Sequence, residues 1–180
     1  VVKFNEKYRA VSYVFVQAND EMSNYDYTEW GAGLQYQTPA AWLSFLAYYQ
    51  QGYSKDDDGH WALEQKPSIN LNLSKIFFNF KIFNQIRYEY RITPDWNDAR
   101  IKNTLNISRP DLFLQPYVGW ELFYENHDKA VMLNRIKVGI NKNIGAHVLV
   151  GPSFRMDFSN VNSRWEWTRQ LIGLQMTINY

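Results

Sequence analysis

Residues 77–91 read Phe77-Phe78-Asn79-Phe80-Lys81-Ile82-Phe83-Asn84-Gln85-Ile86-Arg87-Tyr88-Glu89-Tyr90-Arg91. The even positions supply Phe78, Phe80, Ile82, Asn84, Ile86, Tyr88 and Tyr90; the odd ones include Asn79, Lys81, Gln85, Arg87, Glu89 and Arg91. Side chains alternate between the two faces of a strand, so a period of two describes a ribbon with one apolar and one charged face. The run exceeds the roughly five or six residues of an ordinary globular strand. At about 3.3 Å per residue, it is long enough to cross a bilayer even when tilted.

The same period recurs on both sides of this stretch. Near the end of the chain Ile172, Leu174, Met176, Ile178 and Tyr180 alternate with Gly173, Gln175, Thr177 and Asn179. Over residues 112–125 the outward set is Leu112, Leu114, Val118, Trp120, Leu122 and Tyr124, against Gln115, Tyr117, Gly119, Glu121 and Glu125 inward. Further strands are predicted near residues 4–17, 27–37, 40–53, 61–74, 100–109, 130–142 and 146–158, the first and third with ambiguous facing. Helical periodicity is almost absent. The reading is an all-β, closed antiparallel up-and-down transmembrane β-barrel of about ten strands, with eight or twelve as neighbouring counts, forming a single domain over residues 1–180.

Composition agrees with this. Of the 180 residues 17% are aromatic, with 13 Tyr and 7 Trp, rings that favour boundaries between apolar and wet surroundings. The mean hydropathy of −0.47 excludes a bundle of spanning helices but not a barrel, whose strands average lipid-facing with lumen-facing residues. A balance of 19 basic against 18 acidic residues gives no electrostatic footprint for nucleic acid. Without cysteine there is no disulfide framework and no thiolate metal site; no cofactor is expected.

Polar connectors at residues 19–26, 54–60, 93–98, 125–129 and 159–164 are expected to be long. They alternate with tight turns at Thr38-Pro39, Ser74-Lys75, Arg109-Pro110-Asp111 and residues 141–145, the loop asymmetry of outer-membrane barrels. Ten strands would leave both termini on one, periplasmic, side. Pro67, Pro116 and Pro152 interrupt proposed strands, where proline removes a ladder donor, so bulges are expected there. The competing architecture is a lipocalin-like barrel or β-sandwich with its apolar face inside; alternation alone does not say which face is buried.

The closing segment Gln170-Leu-Ile-Gly-Leu-Gln-Met-Thr-Ile-Asn-Tyr180 resembles the C-terminal assembly signal of bacterial outer-membrane proteins, an alternating strand ending in an aromatic residue. Residues 115–180, through Trp120-Glu121-Leu122-Phe123, Asn134-Arg135-Ile136-Lys137-Val138-Gly139 and the last strand, further resemble a family of uncharacterised (domain of unknown function) outer-membrane proteins, with residues 83–91 matching more loosely. The resemblance implies a Gram-negative outer-membrane location and recognition by the barrel-assembly machinery through the C-terminal strand, without any activity. Partners expected with it are outer-membrane lipids and lipopolysaccharide, and a larger outer-membrane complex.

The charged face carries the candidate site. With even positions outward over residues 77–91, the lumen receives Arg87, Glu89, Arg91, Arg100, Lys102, Glu121, Glu125, Arg135, Lys137, Arg155 and Asp157, mostly in the half distant from the termini. Opposite charges on adjacent strands suit a network that fills the barrel, since buried charges must be paired. An Arg/Lys-rich wall suits instead a narrow pathway for small anions. Tyr88, Tyr90, Trp120, Tyr124, Trp165 and Trp167 fit an outer-leaflet aromatic girdle; Tyr36, Phe78 and Tyr180 fit the inner one. His60 and His127-Asp128, in loops on the same side, would suit a surface hydrolase, with His147 a wall residue. Asp56-Asp57-Asp58 lacks EF-hand spacing for Ca²⁺ and reads as solvated acids. The expected role is structural, scaffolding or partner-binding, with a porin-like channel for small anionic solutes as the alternative and an outer-membrane lipid- or peptide-hydrolysing enzyme as the second.

Overall fold

The computed structural model describes residues 2–18, 25–55, 60–145 and 148–178. Within them every element is a strand: β1 (Val2–Lys3), β2 (Tyr8–Ala18), β3 (Tyr25–Gln37), β4 (Leu43–Lys55), β5 (Trp61–Phe77), β6 (Phe80–Ile92), β7 (Asn97–Ser108), β8 (Gln115–Glu125), β9 (Ala130–Ile144), β10 (Val148–Val161) and β11 (Arg164–Ile178). They form one antiparallel up-and-down sheet in sequence order. Ten strands are long, 11 to 17 residues; β1 is a two-residue return beside Arg9 and Ala10. Described pairings run from β1 to β11 and include none between β11 and β2.

Burial is inverted relative to a water-soluble core. Among the described residues the buried polar or charged side chains are Glu29, Ser44, Gln50, Lys66, Ser68, Asn70, Asn72, Glu89, Glu121 and Asp157, whereas only Tyr48 and Phe123 are buried hydrophobics. Glu89 is 2% exposed, while its strand neighbours Tyr88 and Tyr90 are 50% and 41% exposed. No helix or second sheet covers either face among the described residues. A flat single sheet would expose both faces alike, so burial confined to the polar face means that the sheet curls around that face. The facing left open over residues 40–53 is settled the same way: Ser44, Tyr48, Gln50 and Gly52 are buried and Phe45 is exposed.

Three expectations need correction. Pro67, Pro116 and Pro152 do not sit at bulges. Pro67 and Pro152 lie where pairing with one neighbour lapses and then resumes in the same register, between Gln65↔Ile92 and Ser68↔Glu89 and between Val150↔Lys142 and Ser153↔Gly139. Pro116 keeps its partner Ile140 on β9, and only its carbonyl is used towards Arg109. A proline breaks the ladder on the side where its missing N–H is needed and leaves the count of residues unchanged. Gly151 eases the Pro152 gap, because a Cβ there would lie 1.8 Å from the Ile140 carbonyl oxygen. The irregularities fall elsewhere, at Gln17/Ala18, Phe123/Tyr124 and Asp157/Phe158.

Among the described connectors the loop asymmetry is also absent; residues 19–24 and 56–59, in two of the connectors expected to be long, lie outside the described residues. Residues 159–164, expected as a long loop, form a two-residue turn at Asn162 and Ser163, both with positive φ (50° and 65°), the mirror-image turn that suits strand twist. Conversely the "tight" turn after β7 spans residues 109–114, so Leu112 and Leu114 belong to an exposed turn rather than to β8. In that turn Arg109 meets Asp111 through paired contacts of 2.9 Å, and this hydrogen bonding holds the Asp111 carboxyl below its ordinary value. The turn expected at Ser74-Lys75 is displaced to Phe78-Asn79, with φ of 46° and 65°.

Candidate functional site

Polar-face residues of β3 to β8 are drawn into a closed circuit. The Lys66 ammonium contacts Glu29 directly and Glu64 at 3.3 Å. Arg91 contacts Glu64 and reaches Glu125 at 3.4 Å. Arg100 lies 3.4 Å from Glu125 and donates its Nε–H to Glu89 at 2.5 Å. Arg87, 3.8 Å from Glu89, donates to Gln50 at 2.9 Å, and the Gln50 amide returns to Glu29 at 3.1 Å. Four cations and four carboxylates alternate around it with Gln50 as the one neutral link, so the ring is balanced. Gly52 makes room for its first corner: the space its Cβ would fill lies 3.0 Å from the Tyr27 hydroxyl, which donates to Glu29 at 2.5 Å.

A second group occupies β7 to β10 and is built differently. Glu121 receives Lys102 at 3.0 Å, Lys137 at 3.2 Å and Arg135 at 3.2 Å. Arg135 forks onto Asp157 through Nε at 2.8 Å and Nη2 at 3.0 Å, the bidentate geometry that makes guanidinium–carboxylate pairs strong. Arg155 Nε lies 3.2 Å from the same carboxylate. Four cations share two carboxylates, leaving the group with an excess of two positive charges. Phe123, 4% exposed, joins the two groups. Arg100, Lys102 and Arg135 lie 5.1, 4.9 and 5.1 Å from its ring centroid, within cation–π range.

No known protein family, curated protein or solved structure matches the chain. Its reading rests on its own residues.

All eleven charges picked out from the sequence lie on the polar face and take part in ion pairs. The structure adds Glu29, Gln50, Glu64, Lys66 and Phe123. A signal for the β5 pair was present, since Glu64, Lys66, Ser68, Asn70 and Asn72 alternate with Leu63, Ile69, Leu71 and Leu73. Phe123 shares the odd-numbered parity of Glu121 and Glu125 on β8, which places it on the polar face, but an apolar ring gives no sign in the sequence that three cations gather on it.

Of the girdle residues, Tyr88, Tyr90, Trp120, Trp165 and Trp167 are exposed on the apolar face. Tyr124 and Tyr36 are half-buried, the latter against Tyr8 with ring centroids 5.4 Å apart. Trp120 stands five residues before the end of β8, deeper than a rim position, with its indole N–H donated to Asn134 at 2.6 Å. Phe78 projects from the β5–β6 turn, 81% exposed. Tyr180, His147 and Asp56-Asp57-Asp58 lie outside the described residues. His60 and His127 stand in separate connectors, β4–β5 and β8–β9, and no group of three potential metal-ligating side chains occurs among the described residues.

Proposed function

We propose that this chain is an integral outer-membrane β-barrel. Its ten long strands close on themselves, its apolar face meets lipid, and its charge network locks the interior in a structural, scaffolding or partner-binding role. The observation that carries the reading is the inverted burial. Among the described residues thirty-two large hydrophobic side chains are exposed, far more than a soluble monomer leaves in contiguous contact with water, while the charged side chains of the polar face are sheltered and paired. Strand length supports it, because about 11 residues at 3.3 Å, tilted by about 45°, span the ~25 Å apolar band of such barrels. The likeness of residues 170–180 to an outer-membrane assembly signal adds the choice of membrane. Lipid and lipopolysaccharide are then the contacts of the apolar face, and the assembly machinery that of the last strand.

The test is fractionation followed by detergent extraction and electrophoresis with and without boiling. A membrane-bound protein whose unboiled form migrates faster than the boiled form is expected; a folded, monodisperse protein in detergent-free buffer would refute the proposal.

A narrow anion pathway is the second reading, favoured by the excess positive charge around Glu121 and Asp157. In planar bilayers it requires discrete conductance steps whose anion preference falls in Arg135→Ala. The locked interior requires their absence.

A further inference from the structure

The four-cation group is unbalanced in a particular direction. Three successive rungs of the polar face cross β8 to β11. The first carries Glu121, Arg135, Asp157 and Arg169; the second Gly119, Lys137, Arg155 and Leu171; the third Tyr117, Gly139, Ser153 and Gly173. Both carboxylates lie on the first rung. From the second rung to the terminal end of the sheet, residues 115–119, 139–144, 148–153 and 171–178 contain no Asp or Glu. Lys137 and Arg155 are directly opposed across β9–β10, a like-charge pairing that is unfavourable by itself. Each has its carboxylate partner on one side only, and each of those carboxylates is shared with Arg135.

Arg155 Nε is buried without a hydrogen-bond partner: its 3.2 Å approach to Asp157 is an ion pair but not an aligned hydrogen bond. The charged groups acting on Arg155 are two cations, Arg135 and Arg169, and two carboxylates, Asp157 and Glu121, and both carboxylates are already shared with Arg135. Lys137 keeps its side chain 34% exposed and Arg155 17%, so both remain reachable. Space lies beside them. The empty side-chain position of Gly119 is bordered by Lys137 Cβ at 3.6 Å and the Asn106 amide nitrogen at 3.7 Å, and that of Gly173 by the Ser153 hydroxyl at 3.4 Å. The neutral polar groups facing this space are the Asn106 amide, the Leu105 carbonyl oxygen at 3.9 Å from the Gly119 position, and the Ser153 hydroxyl, which donates to the Gly173 carbonyl at 3.4 Å.

We propose that the Lys137–Arg155 rung binds a small tetrahedral oxyanion of the phosphate or sulfate class. Two uncompensated positive charges, one a guanidinium and one an ammonium, with the Asn106 amide nearby, match a dianion with several acceptor oxygens. The site rests on the sheltered polar face from which the barrel reading also starts, and not on the membrane around it.

The experiment uses the full chain folded in zwitterionic detergent and free of phosphate. Inorganic phosphate is titrated at constant ionic strength, with chloride as the compensating anion, and binding is followed by the phosphorus-31 linewidth. Saturable broadening is expected, weakened about tenfold or more by Arg155→Gln and by Lys137→Gln, as for loss of a hydrogen bond to a charged group. Arg109→Gln, in the exposed turn, is expected to bind like the parent. Linear, unsaturable broadening in the parent would overturn the proposal, as would parent-like affinity in whichever of the two rung variants folds. A second arm repeats the titration in nanodiscs of phosphatidylglycerol or phosphatidylcholine. Competition by phosphatidylglycerol alone assigns the site to a lipid phosphate, and equal affinity in both assigns it to a free anion. The strand circular-dichroism signal and the heat-modified migration of each sample are recorded alongside. Loss of heat modifiability with phosphate binding retained would sink the barrel reading and leave the site standing.

Discussion

The ring on β3 to β8 and the comb on β7 to β10 use the same residue types and face the same way, yet they solve the burial of charge differently. In the ring each carboxylate has two cationic neighbours or a cation and an amide, charge sums to zero, and the path closes on itself. In the comb Glu121 alone serves three cations and Arg135 is held by both carboxylates, with Lys137 and Arg155 as outlying teeth. A closed, balanced circuit holds each side chain from both sides and loses much when any member goes. An open, unbalanced one has one indispensable centre and dispensable ends. The difference teaches where structure and where ligand binding should be sought on one continuous face.

The largest effect is expected at Glu89, the most buried carboxylate of the ring, 2% exposed. Glu89→Gln leaves Arg100 with Glu125 alone and Arg87 with Gln50 as its remaining ring contact. Removing one partner of a buried pair commonly costs about 3–5 kcal/mol, and urea unfolding of the detergent-folded protein reads it directly. A cost below about 1 kcal/mol would show that the ring is hydrated and loosely coupled, and the contrast with the comb would collapse.

Phe123 tests whether the two groups are separate at all. Phe123→Leu removes the ring approached by Arg100, Lys102 and Arg135 and leaves a partly filled space, for a loss of about 2 kcal/mol. Because its cations come from both groups, Phe123→Leu combined with Glu89→Gln is expected to depart from additivity by at least about 0.5 kcal/mol. Strict additivity in the same unfolding assay would mean that ring and comb act independently.

Sequence alone reached the ten long strands because a period of two survives any register. It also placed eleven charges of β6 to β10 on one face, since in residues 87–91, 100–102, 135–137 and 155–157 the charged positions fall two apart. It did not reach the pairing. Which carboxylate serves which cation depends on cross-strand register, and register depends on turns, two of which lie elsewhere than the polar clusters suggest: Phe78-Asn79 rather than Ser74-Lys75, and Asn162-Ser163 in place of a loop. Glu29 is an isolated charge on β3, met by Lys66 only across the side-chain-free Gly52, whereas the Glu64–Lys66 spacing on β5 carried a usable signal. The face that would be buried was likewise illegible, since an apolar-in sandwich and an apolar-out barrel write the same alternation.

Lys137→Gln should have the smallest effect and the opposite sign. Glu121 keeps Lys102 at 3.0 Å and Arg135 at 3.2 Å when Lys137 is neutralised, so no carboxylate is orphaned. The lost pair involves a side chain 34% exposed, and such pairs are worth little. What disappears with it is the repulsion from Arg155 directly across the ladder, of order 0.2–1 kcal/mol for like charges in that position. In phosphate-free, low-salt buffer the variant is therefore expected to be as stable as the parent or more stable by up to about 1 kcal/mol. The gain should shrink as salt screens the pair. In phosphate the order reverses, because the parent gains stability from a bound anion that the variant has lost. If Lys137→Gln destabilises the protein without phosphate as much as Glu89→Gln does, the comb is a second lock rather than an open end, and the excess charge on its outer rung needs another explanation.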